Sequence, residues 1–235
     1  MAVDLPSPRD ICPLTIVGAG KLGRAVGEAW EASGGEIQSI VSAGQAWMPQ
    51  GLVFEATRPD SALDNILKCV DANTPVVTGT TGWLEHLPAV SDVLTQTDGV
   101  VFWSTNFSPG VHVMNQLASY AANLFSQLGG YEARIEETHH LQKVDAPSGT
   151  ALTLKQHVAH GGWPHDIQLS SKREGKVVGL HTLTWESVHD SVVLQHEALS
   201  RLGFAQGAVM ALRYTWAKHV QEAFGLYTMK DLFKA

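Results

Sequence analysis

Short apolar runs alternate with stretches of helical spacing over the first hundred residues of the chain. The run PLTIV is followed by a glycine-containing turn and then by Leu22, Val26, Ala29 and Trp30, which repeat at the spacing of one helix face. Four further runs, in EIQSIVS, GLVFEAT, TPVVTGTTGW and GVVFWSTNF, predict strands, with helices at 61–70 and in HLPAVSDVLTQ. Strands that alternate with helices predict a parallel, doubly wound α/β sheet.

The pattern changes after residue 107. A long helix is predicted over SPGVHVMNQLASYAANLFSQLGG, YEARIEETHH alternates as a strand does, and DIQLSSKREGKVVGLHTLTWESVHDSVVLQHEAL predicts two or three long strands. Few helical breaks separate these strands, which is typical of an antiparallel or mixed sheet. We therefore expect a first domain at 1–107 and 205–235, completed by the last helix, and a second α+β domain at 108–204.

Composition narrows the classes of function. The 235 residues are 44% hydrophobic and 17% charged, which is typical of a folded globular protein. A net charge of −7 argues against a general affinity for nucleic acid or an anionic membrane. Cys12 and Cys69 form no CxxC pattern, so reduced thiols and a cytoplasmic location are expected. We find neither a signal-peptide pattern nor an apolar window long enough to span a membrane.

The segment VGAGKLG places Gly18, Gly20 and Gly23 in GxGxxG spacing, after a predicted strand and at a predicted helix start. In dinucleotide-binding folds the first glycine permits the tight turn and the second lets the backbone approach a pyrophosphate. The third lets helix and strand pack closely. Amides at the helix start favour an anion. The segment therefore predicts dinucleotide binding, and the alternative is a tight turn without a ligand.

The end of the second predicted strand lacks the residue that usually selects the cofactor. From Ile37 to Phe54 the chain has no Asp, Glu, Lys or Arg, so it offers neither an acid for a ribose hydroxyl nor a base for a 2′-phosphate. Lys21 and Arg24 are alternative cations for a 2′-phosphate. A solvated surface charge is the other interpretation of each, and for Arg24 it is the favoured one. Both NADH and NADPH therefore stay open as the cofactor.

Two further turns, TGTTG and STNFSPG, follow the fourth and fifth predicted strands. Ligands of doubly wound sheets bind beyond the carboxyl ends of the strands, so these small side chains and amides are expected to line the cofactor site. Ordinary turn chemistry is the alternative for each motif. The candidate residues in these turns are Gly79, Thr80, Thr81, Ser104, Thr105, Asn106 and Phe107.

The segment ETHHLQKVDAPSGTAL brings two histidines, His139 and His140, close in sequence to Lys143. Lysine suits a carboxylate, and imidazoles transfer protons near neutral pH. An isolated histidine pair would more often be structural, but this pair precedes a second feature that favours a ligand.

That second feature is a helix start. Pro147 disfavours helix for the residue before it, and Ser148 is a good N-cap, so the amides of Gly149 and Thr150 are expected where a helix favours negative charge. Following a dinucleotide domain, the whole segment predicts a site at which an anionic small molecule receives a hydride and a proton.

This segment also resembles the signature of the dihydrodipicolinate reductase family, E-x-H-H-x-x-K-x-D-A-P-S-G-T-A. The segments FEATRPDS, GTTG, NFSPGV, KREGKVVGLHT and SRLGFAQGAVMAL resemble family blocks in family order. The resemblance implies a Rossmann-type domain and a mixed-sheet domain, usually assembled as a homotetramer through the second sheet. It also implies reduction of 4-hydroxy-tetrahydrodipicolinate, a cyclic dicarboxylate, to tetrahydrodipicolinate in lysine and diaminopimelate biosynthesis.

The resemblance further implies roles for individual residues. His139 would donate the proton, and Lys143 would assist as a second donor and stabilise charge. A substrate carboxylate would be held by His140, Gly149 and Thr150. The residues that would bind NAD(P)H are Gly18, Ala19, Gly20, Lys21, Leu22, the turn at 79–81 and the turn at 104–107.

Some positions depart from the family pattern. The family commonly has one more residue between the first two glycines, an Arg where Lys21 stands, and often an acid after the second strand. These departures affect the adenine end of the cofactor, so they bear on its identity more than on the reaction.

Two other functions and a metal site are the alternatives. Another two-domain dehydrogenase, of the aspartate or diaminopimelate type, has no reason to carry the full histidine segment. Intact His139 and Lys143 argue against a non-catalytic dinucleotide sensor. His157, His160 and His165 have helical spacing, but no Cys converges with them in sequence, so no metal is expected.

Overall fold

The first apolar run folds as a buried strand, and the helical spacing after it folds as a helix that packs against it. We describe residues 5–233 of the chain from a computed structural model. The elements of the first half are β1 (Leu14–Val17), α1 (Lys21–Ala32), β2 (Ile37–Val41), β3 (Leu52–Glu55), α2 (Pro59–Asp71), β4 (Val76–Thr78), α3 (Leu87–Leu94) and β5 (Val100–Trp103).

The remaining elements begin with a long helix and end with a short strand and helix. They are α4 (Pro109–Phe125), β6 (Glu132–His139), α5 (Gly149–His160), β7 (Gln168–Arg173), β8 (Leu180–Glu186), β9 (Ser191–Glu197), α6 (Leu202–Val220), β10 (Gly225–Thr228) and α7 (Met229–Leu232).

Six strands form one parallel sheet in the order β10-β5-β4-β3-β1-β2. The predicted parallel, doubly wound sheet is therefore confirmed. The strand β10 was not predicted. It has four residues, GLYT, all partly exposed, so it shows neither the alternation nor the apolar run by which a strand is recognised.

Both faces of this sheet are covered, because neighbouring residues of its strands point to opposite sides. In β3, Leu52 and Phe54 pack in the cluster formed with α1 and α6, whereas Val53 packs in the cluster formed with α2 and α3. Trp30 of α1 is completely buried in the first cluster. Burial on both faces explains why the inner strands β1, β3 and β4, and most of β5, are continuous apolar runs in the sequence.

Four strands form the second sheet in the order β7-β6-β8-β9. β6 pairs in parallel with β7 and antiparallel with β8, which pairs antiparallel with β9, so the predicted mixed sheet is also confirmed. In β6 the residues alternate between buried and accessible, and its inner face packs with α4 and α5 around Ile135, Leu154 and Trp185.

The chain divides into two compact units. The described residues 5–108 and 202–233 form the first unit, and Pro109–Arg201 form the second. The second break falls just before α6, which begins at Leu202. The sequence analysis placed the corresponding breaks after residues 107 and 204.

Gly18 provides a test of the turn between β1 and α1. Its φ is +112°, and a Cβ at this position would overlap the carbonyl oxygen of Ala56. Gly18→Ala should therefore lower the free energy of unfolding by about 3 kcal/mol or more, measured by urea denaturation. Gly20→Ala is the matched control, because its φ is −74° and no atom lies within 4 Å of an added Cβ. It should change stability by less than about 1 kcal/mol, and equal losses in both variants would contradict the argument.

Candidate active site

A cavity of about 530 Å³ opens where β1, β2 and β3 end. Ligands of doubly wound sheets bind at such carboxyl ends, beside a turn of this kind. The polar side chains on its wall follow β2 and β3 or belong to α2: they are Ser42, Gln45, Thr57, Arg58, Ser61 and Asn65.

The glycine turn beside this cavity has the shape that a pyrophosphate requires. A Cβ on Gly23 would overlap the carbonyl oxygen of Gly18, so glycine there lets α1 pack closely on the turn. Gly20 is the N-cap of α1, no side chain caps this helix end, and the space beyond Gly20 is open. The uncapped amides at the start of α1 are suited to bind an anion. The turn therefore fits a dinucleotide.

The residues of this turn that were predicted to bind the cofactor have different surroundings. Gly18, Ala19 and Gly20 line the cavity. Lys21 is exposed at the start of α1, and Leu22 packs against the core. The remaining cation considered from the sequence, Arg24, donates a hydrogen bond from Nε to the Ala19 carbonyl oxygen at 2.9 Å, so it braces the turn.

The turn after β4 is hydrogen-bonded to a buried carboxylate, which was not predicted from the sequence as a site residue. Glu55, at the end of β3, is completely buried and accepts hydrogen bonds from the Thr57 amide at 2.9 Å and the Thr80 hydroxyl at 3.0 Å. Thr81 is exposed. A Cβ on Gly79 would lie 2.9 Å from Leu22, so glycine there leaves room for core packing. Cofactor contacts from this turn stay a prediction.

The turn after β5 is stabilised by its own side chains. The Ser104 hydroxyl donates to the Asn106 carbonyl oxygen at 2.7 Å, and the Asn106 side-chain oxygen accepts from the Ser108 amide at 2.9 Å. Thr105 is exposed, whereas the Phe107 ring is buried and stacks on Phe102. The Phe107 side chain therefore belongs to the core, and cofactor contacts by this turn stay a prediction.

Arg58 was missed by the sequence analysis. It precedes α2 as its N-cap residue, lines the cavity and forms a salt bridge of 3.0 Å with Asp60. Among the described residues that line this cavity it is the single charged side chain. The signal in the sequence is the arginine of FEATRPDS, which follows the third predicted strand.

The second unit gathers a carboxylate and two imidazoles in its interior. Glu137 and His139 lie two residues apart on β6 and therefore point to the same face, and His181 lies on the neighbouring β8. Nδ1 of His139 lies 3.3 Å and Nε2 of His181 lies 3.8 Å from the same Glu137 oxygen, Oε2. All three side chains are at least nine-tenths buried. Of these residues the sequence analysis selected His139 alone.

The other oxygen of Glu137 contacts the start of α5. The Ser148 amide donates to Glu137 Oε1 at 3.0 Å, and the Ser148 hydroxyl caps the helix by accepting from the Ala151 amide at 3.2 Å. Ser148 is therefore the N-cap, as predicted from the sequence. Gly149 is exposed and Thr150 is partly buried in the first turn of α5.

Lys143 and His140 lie in the segment between β6 and α5. Lys143 Nζ donates to the two carboxylate oxygens of Asp145 at 2.8 and 2.9 Å, and His140 is partly buried. Arg173 of β7 donates to the Lys143 carbonyl oxygen at 3.3 Å and lies 3.3 Å from Glu137 Oε1. Arg173 therefore reaches into the cluster, whereas the neighbouring Lys172 faces Glu136 at the surface.

Burial and charge set the protonation of this cluster. Burial lowers the pKa of His139, and the positive Lys143 and Arg173 lower it further, against the opposing effect of Glu137. Burial lowers the pKa of His181 to about 4. Burial alone would raise the pKa of Glu137, but hydrogen bonds from Ser148 and other donors outweigh it and hold the pKa below its usual value. The cluster therefore favours neutral rings beside an ionised carboxylate.

The three side chains also have the spacing of metal ligands. Their candidate donor atoms lie within 4.8 Å of one another. The carboxylate, however, already faces the guanidinium of Arg173 and accepts a backbone amide. A group whose negative charge is compensated in this way is a weaker ligand for a cation.

These features place the chain among the dinucleotide-dependent oxidoreductases. Two family models match it: "Dihydrodipicolinate reductase, N-terminus" over residues 12–107 and "Dihydrodipicolinate reductase, C-terminus" over residues 110–233. The chain therefore belongs to the dihydrodipicolinate reductase family.

Individual relatives agree with this assignment. The 4-hydroxy-tetrahydrodipicolinate reductase of Christiangramia forsetii is 40% identical over 185 residues, covering 74% of this chain and 75% of the relative. The enzyme of the same name from Thiobacillus denitrificans is 35% identical over 235 residues, covering 92% and 85%. The structure of dipicolinate-bound dihydrodipicolinate reductase from Paenisporosarcina sp. TG-14 has the same fold, with a TM-score of 0.76 and 19% identity over 93% of this chain and 97% of that one.

Within residues 5–233, we find no helix with the length and apolar character needed to cross a bilayer.

The buried His181 predicts a loss of stability in mild acid. Its folded pKa of about 4 lies below the ordinary 6.5, so between pH 6.5 and 4 the unfolded chain binds the proton that the folded chain excludes. Stability contributed by the neutral ring should therefore fall as pH decreases through this window, by at most ~3 kcal/mol. Urea denaturation from pH 7 to 4 measures the slope.

His181→Gln should flatten this dependence, because the titrating ring is gone. His189→Gln, which changes an exposed histidine, should retain the wild-type slope. An unchanged slope in His181→Gln would show that burial of this ring does not govern the acid response.

Proposed function

We propose that the chain catalyses NAD(P)H-dependent reduction of 4-hydroxy-tetrahydrodipicolinate to tetrahydrodipicolinate, a step of lysine and diaminopimelate biosynthesis. The observation that carries the proposal is the buried Glu137–His139 pair joined to the N-cap of α5, within a chain that matches the family over both units. The family assignment disfavours the aspartate-type dehydrogenase and the sensor as alternatives.

The proposed substrate is a dianion, and the second unit offers places for its carboxylates. The start of α5 favours negative charge, and no atom lies within 4 Å of a Cβ built on Gly149, which leaves room for a ligand. We assign one carboxylate to Gly149, Thr150 and His140. Lys143, now paired with Asp145, would exchange this partner for the substrate.

Loss of water from the 4-hydroxy compound first gives a conjugated imine. Reduction of this imine then requires one hydride and one proton. The reduced nicotinamide, when bound, supplies the hydride, and Gly18, Ala19 and Gly20 would hold its pyrophosphate. Addition of a hydride leaves an enamine-like anion on the substrate ring. Lys143 stabilises this negative charge, and His139 delivers the proton that completes the reduction.

For the choice between the two nucleotides, we propose NADPH. Arg58 is the cation on the cavity wall, and no acid lines this cavity in the described part of the chain. A guanidinium suits a 2′-phosphate, whereas an acid would be needed to select a free ribose hydroxyl.

The expected homo-oligomer stays a prediction of the family resemblance. The edge strand β9 exposes Val192 and Val193, which are 42% and 52% accessible in the isolated chain. Apolar side chains at a sheet edge support assembly through the second sheet.

The function is tested by coupling the purified protein to the synthase that makes 4-hydroxy-tetrahydrodipicolinate and following NADPH oxidation. The wild-type protein should show substrate-dependent oxidation. His139→Gln should lower kcat by about 10²–10⁴-fold, because the general acid is removed. Its KM for NADPH should change by less than about twofold. His160→Gln, an exposed site on α5, is the matched control and should keep wild-type rates. Wild-type kcat in His139→Gln would refute the role of His139.

Cofactor preference is tested by Arg58→Ala. Loss of a charge-assisted contact of about 1.4 kcal/mol should raise KM for NADPH about tenfold and leave KM for NADH within about twofold. Lys21→Ala tests the other cation, which is exposed and should have a smaller effect. If KM for NADPH rose selectively in Lys21→Ala alone, the 2′-phosphate would be assigned to the glycine turn instead of Arg58.

A further inference from the structure

Two groups needed for the proposed reaction converge on one side chain. Glu137 faces the proton donor His139 with one carboxylate oxygen and the N-cap of α5 with the other. We propose that Glu137 is the positioning residue of the reaction: it holds His139 with its proton on Nδ1, so that Nε2 is the atom that takes up and delivers the reacting proton. This inference rests on the proposed function and assigns a role to a residue of the same site.

The oxygen Oε1 is held by protein donors. It accepts the Ser148 amide at 3.0 Å and faces Arg173 Nη2 at 3.3 Å. These contacts come from α5 and β7, whereas Glu137 itself lies on β6. The carboxylate is therefore fixed in orientation by two elements other than its own, which is the condition for it to orient a third group.

The oxygen Oε2 has no protein hydrogen bond in this structure, and neither has Nδ1 of His139. The two atoms are buried and lie 3.3 Å apart, without the alignment of a hydrogen bond. Buried polar atoms without a hydrogen bond are costly. A small rotation of the His139 ring would let these two atoms form one with each other. That bond requires the proton on Nδ1.

The opposite edge of the His139 ring is kept clear by a glycine. A Cβ at Gly179, which is buried just before β8, would lie 3.1 Å from His139 Nε2 and 3.4 Å from its Cδ2. Any side chain there would crowd Nε2. The ring therefore faces a carboxylate at Nδ1, and residue 179 places no side chain against Nε2. Under the proposal, this arrangement leaves Nε2 as the nitrogen that transfers the proton.

Several other charged or titratable groups act on the Glu137–His139 pair. Lys143 and Arg173 disfavour a positive ring, whereas Glu137 and Asp145 favour it. The groups that act on the pair or its neighbour His181 are Lys143 and Asp145 after β6, Ser148 before α5, Ser171 and Arg173 of β7, His181 of β8 and His196 of β9.

A fixed carboxylate changes the reaction in two ways. It selects one neutral tautomer, so the nitrogen that exchanges protons always lies on the same side. It also stabilises the imidazolium that must exist before the proton is delivered, which opposes the effect of burial and of the two cations. Glu137 contacts His139 and the N-cap of α5 and does not line the cavity at the glycine turn, so its removal should reduce turnover and leave nucleotide binding intact.

Glu137→Gln tests the proposal because it keeps the shape of the side chain and removes its charge. We expect kcat to fall about 10- to 100-fold, with KM for NADPH within about twofold of wild type. We also expect the alkaline limb of the kcat–pH profile, where His139 loses its proton, to shift about one unit to lower pH. Glu136→Gln is the matched control, because Glu136 is adjacent on β6 but lies on the opposite face and contacts Lys172. It should retain the wild-type profile.

The tautomer is measured directly by nitrogen NMR of protein labelled in its histidine rings, with His139→Gln identifying the His139 signals. The wild type should show neutral His139 protonated on Nδ1, and Glu137→Gln should lose this preference. A folded Glu137→Gln with the wild-type pH profile would overturn the inference, as would a wild-type His139 protonated on Nε2.

If Glu137→Gln does not fold, the tautomer of His139 in the wild type tests the role of Glu137: a proton on Nδ1 supports it, and a proton on Nε2 overturns it. Absence of substrate-dependent oxidation in the wild type would refute the proposed function, and the tautomer measurement would still decide the role of Glu137.

Discussion

The second unit depends on the burial of one negative charge. Removing a carboxylate from water is costly unless donors and positive groups surround it. Glu137 meets this requirement through Oε1, which faces the Ser148 amide at the start of α5 and Arg173 of β7, while Oε2 lies beside the imidazoles of His139 and His181. The same contacts join β6, β7, β8 and the start of α5. The site and its supporting framework are thus specified by one set of interactions.

The first unit uses a buried carboxylate in a comparable way. Glu55 at the end of β3 accepts hydrogen bonds from Thr57 and Thr80, which belong to the turns after β3 and β4. These turns lie at the edge of the sheet where the cavity opens. In each unit, a buried carboxylate at or near the end of a strand therefore fixes the conformation of the candidate site.

Sequence patterns predicted the elements whose burial is uniform or periodic. The parallel sheet was predicted because short apolar runs alternate with helical spacing, and β6 because its residues alternate. The N-cap role of Ser148 followed from local chemistry, since Pro147 and a small hydroxyl residue determine a helix start regardless of the fold. The strand β10 has no such local pattern and exists because β5 offers an unpaired edge.

The site was predicted only as far as its residues are neighbours in sequence. His139 and Lys143 belong to one segment, and their chemistry was visible there. His181 and Arg173 reach Glu137 through strand pairing, and a single sequence does not reveal register. Likewise, Arg58 lies at the cavity because β3 neighbours β1, and the Phe107 ring packs in the core, and neither position can be read from the residues next to it in sequence.

The order of elements along the chain has a consequence for synthesis. The core around Phe54 and Phe102 is closed by α6, and the sheet edge at β5 is covered by β10, yet both elements follow the whole of the second unit. A nascent chain emerging from the ribosome therefore presents these aromatic rings and an open strand edge while some ninety intervening residues, Pro109–Arg201, are still being made. Until α6 and β10 have been made, the half-finished sheet therefore exposes an unpaired strand edge and apolar surface, the features that promote aggregation of incomplete folds.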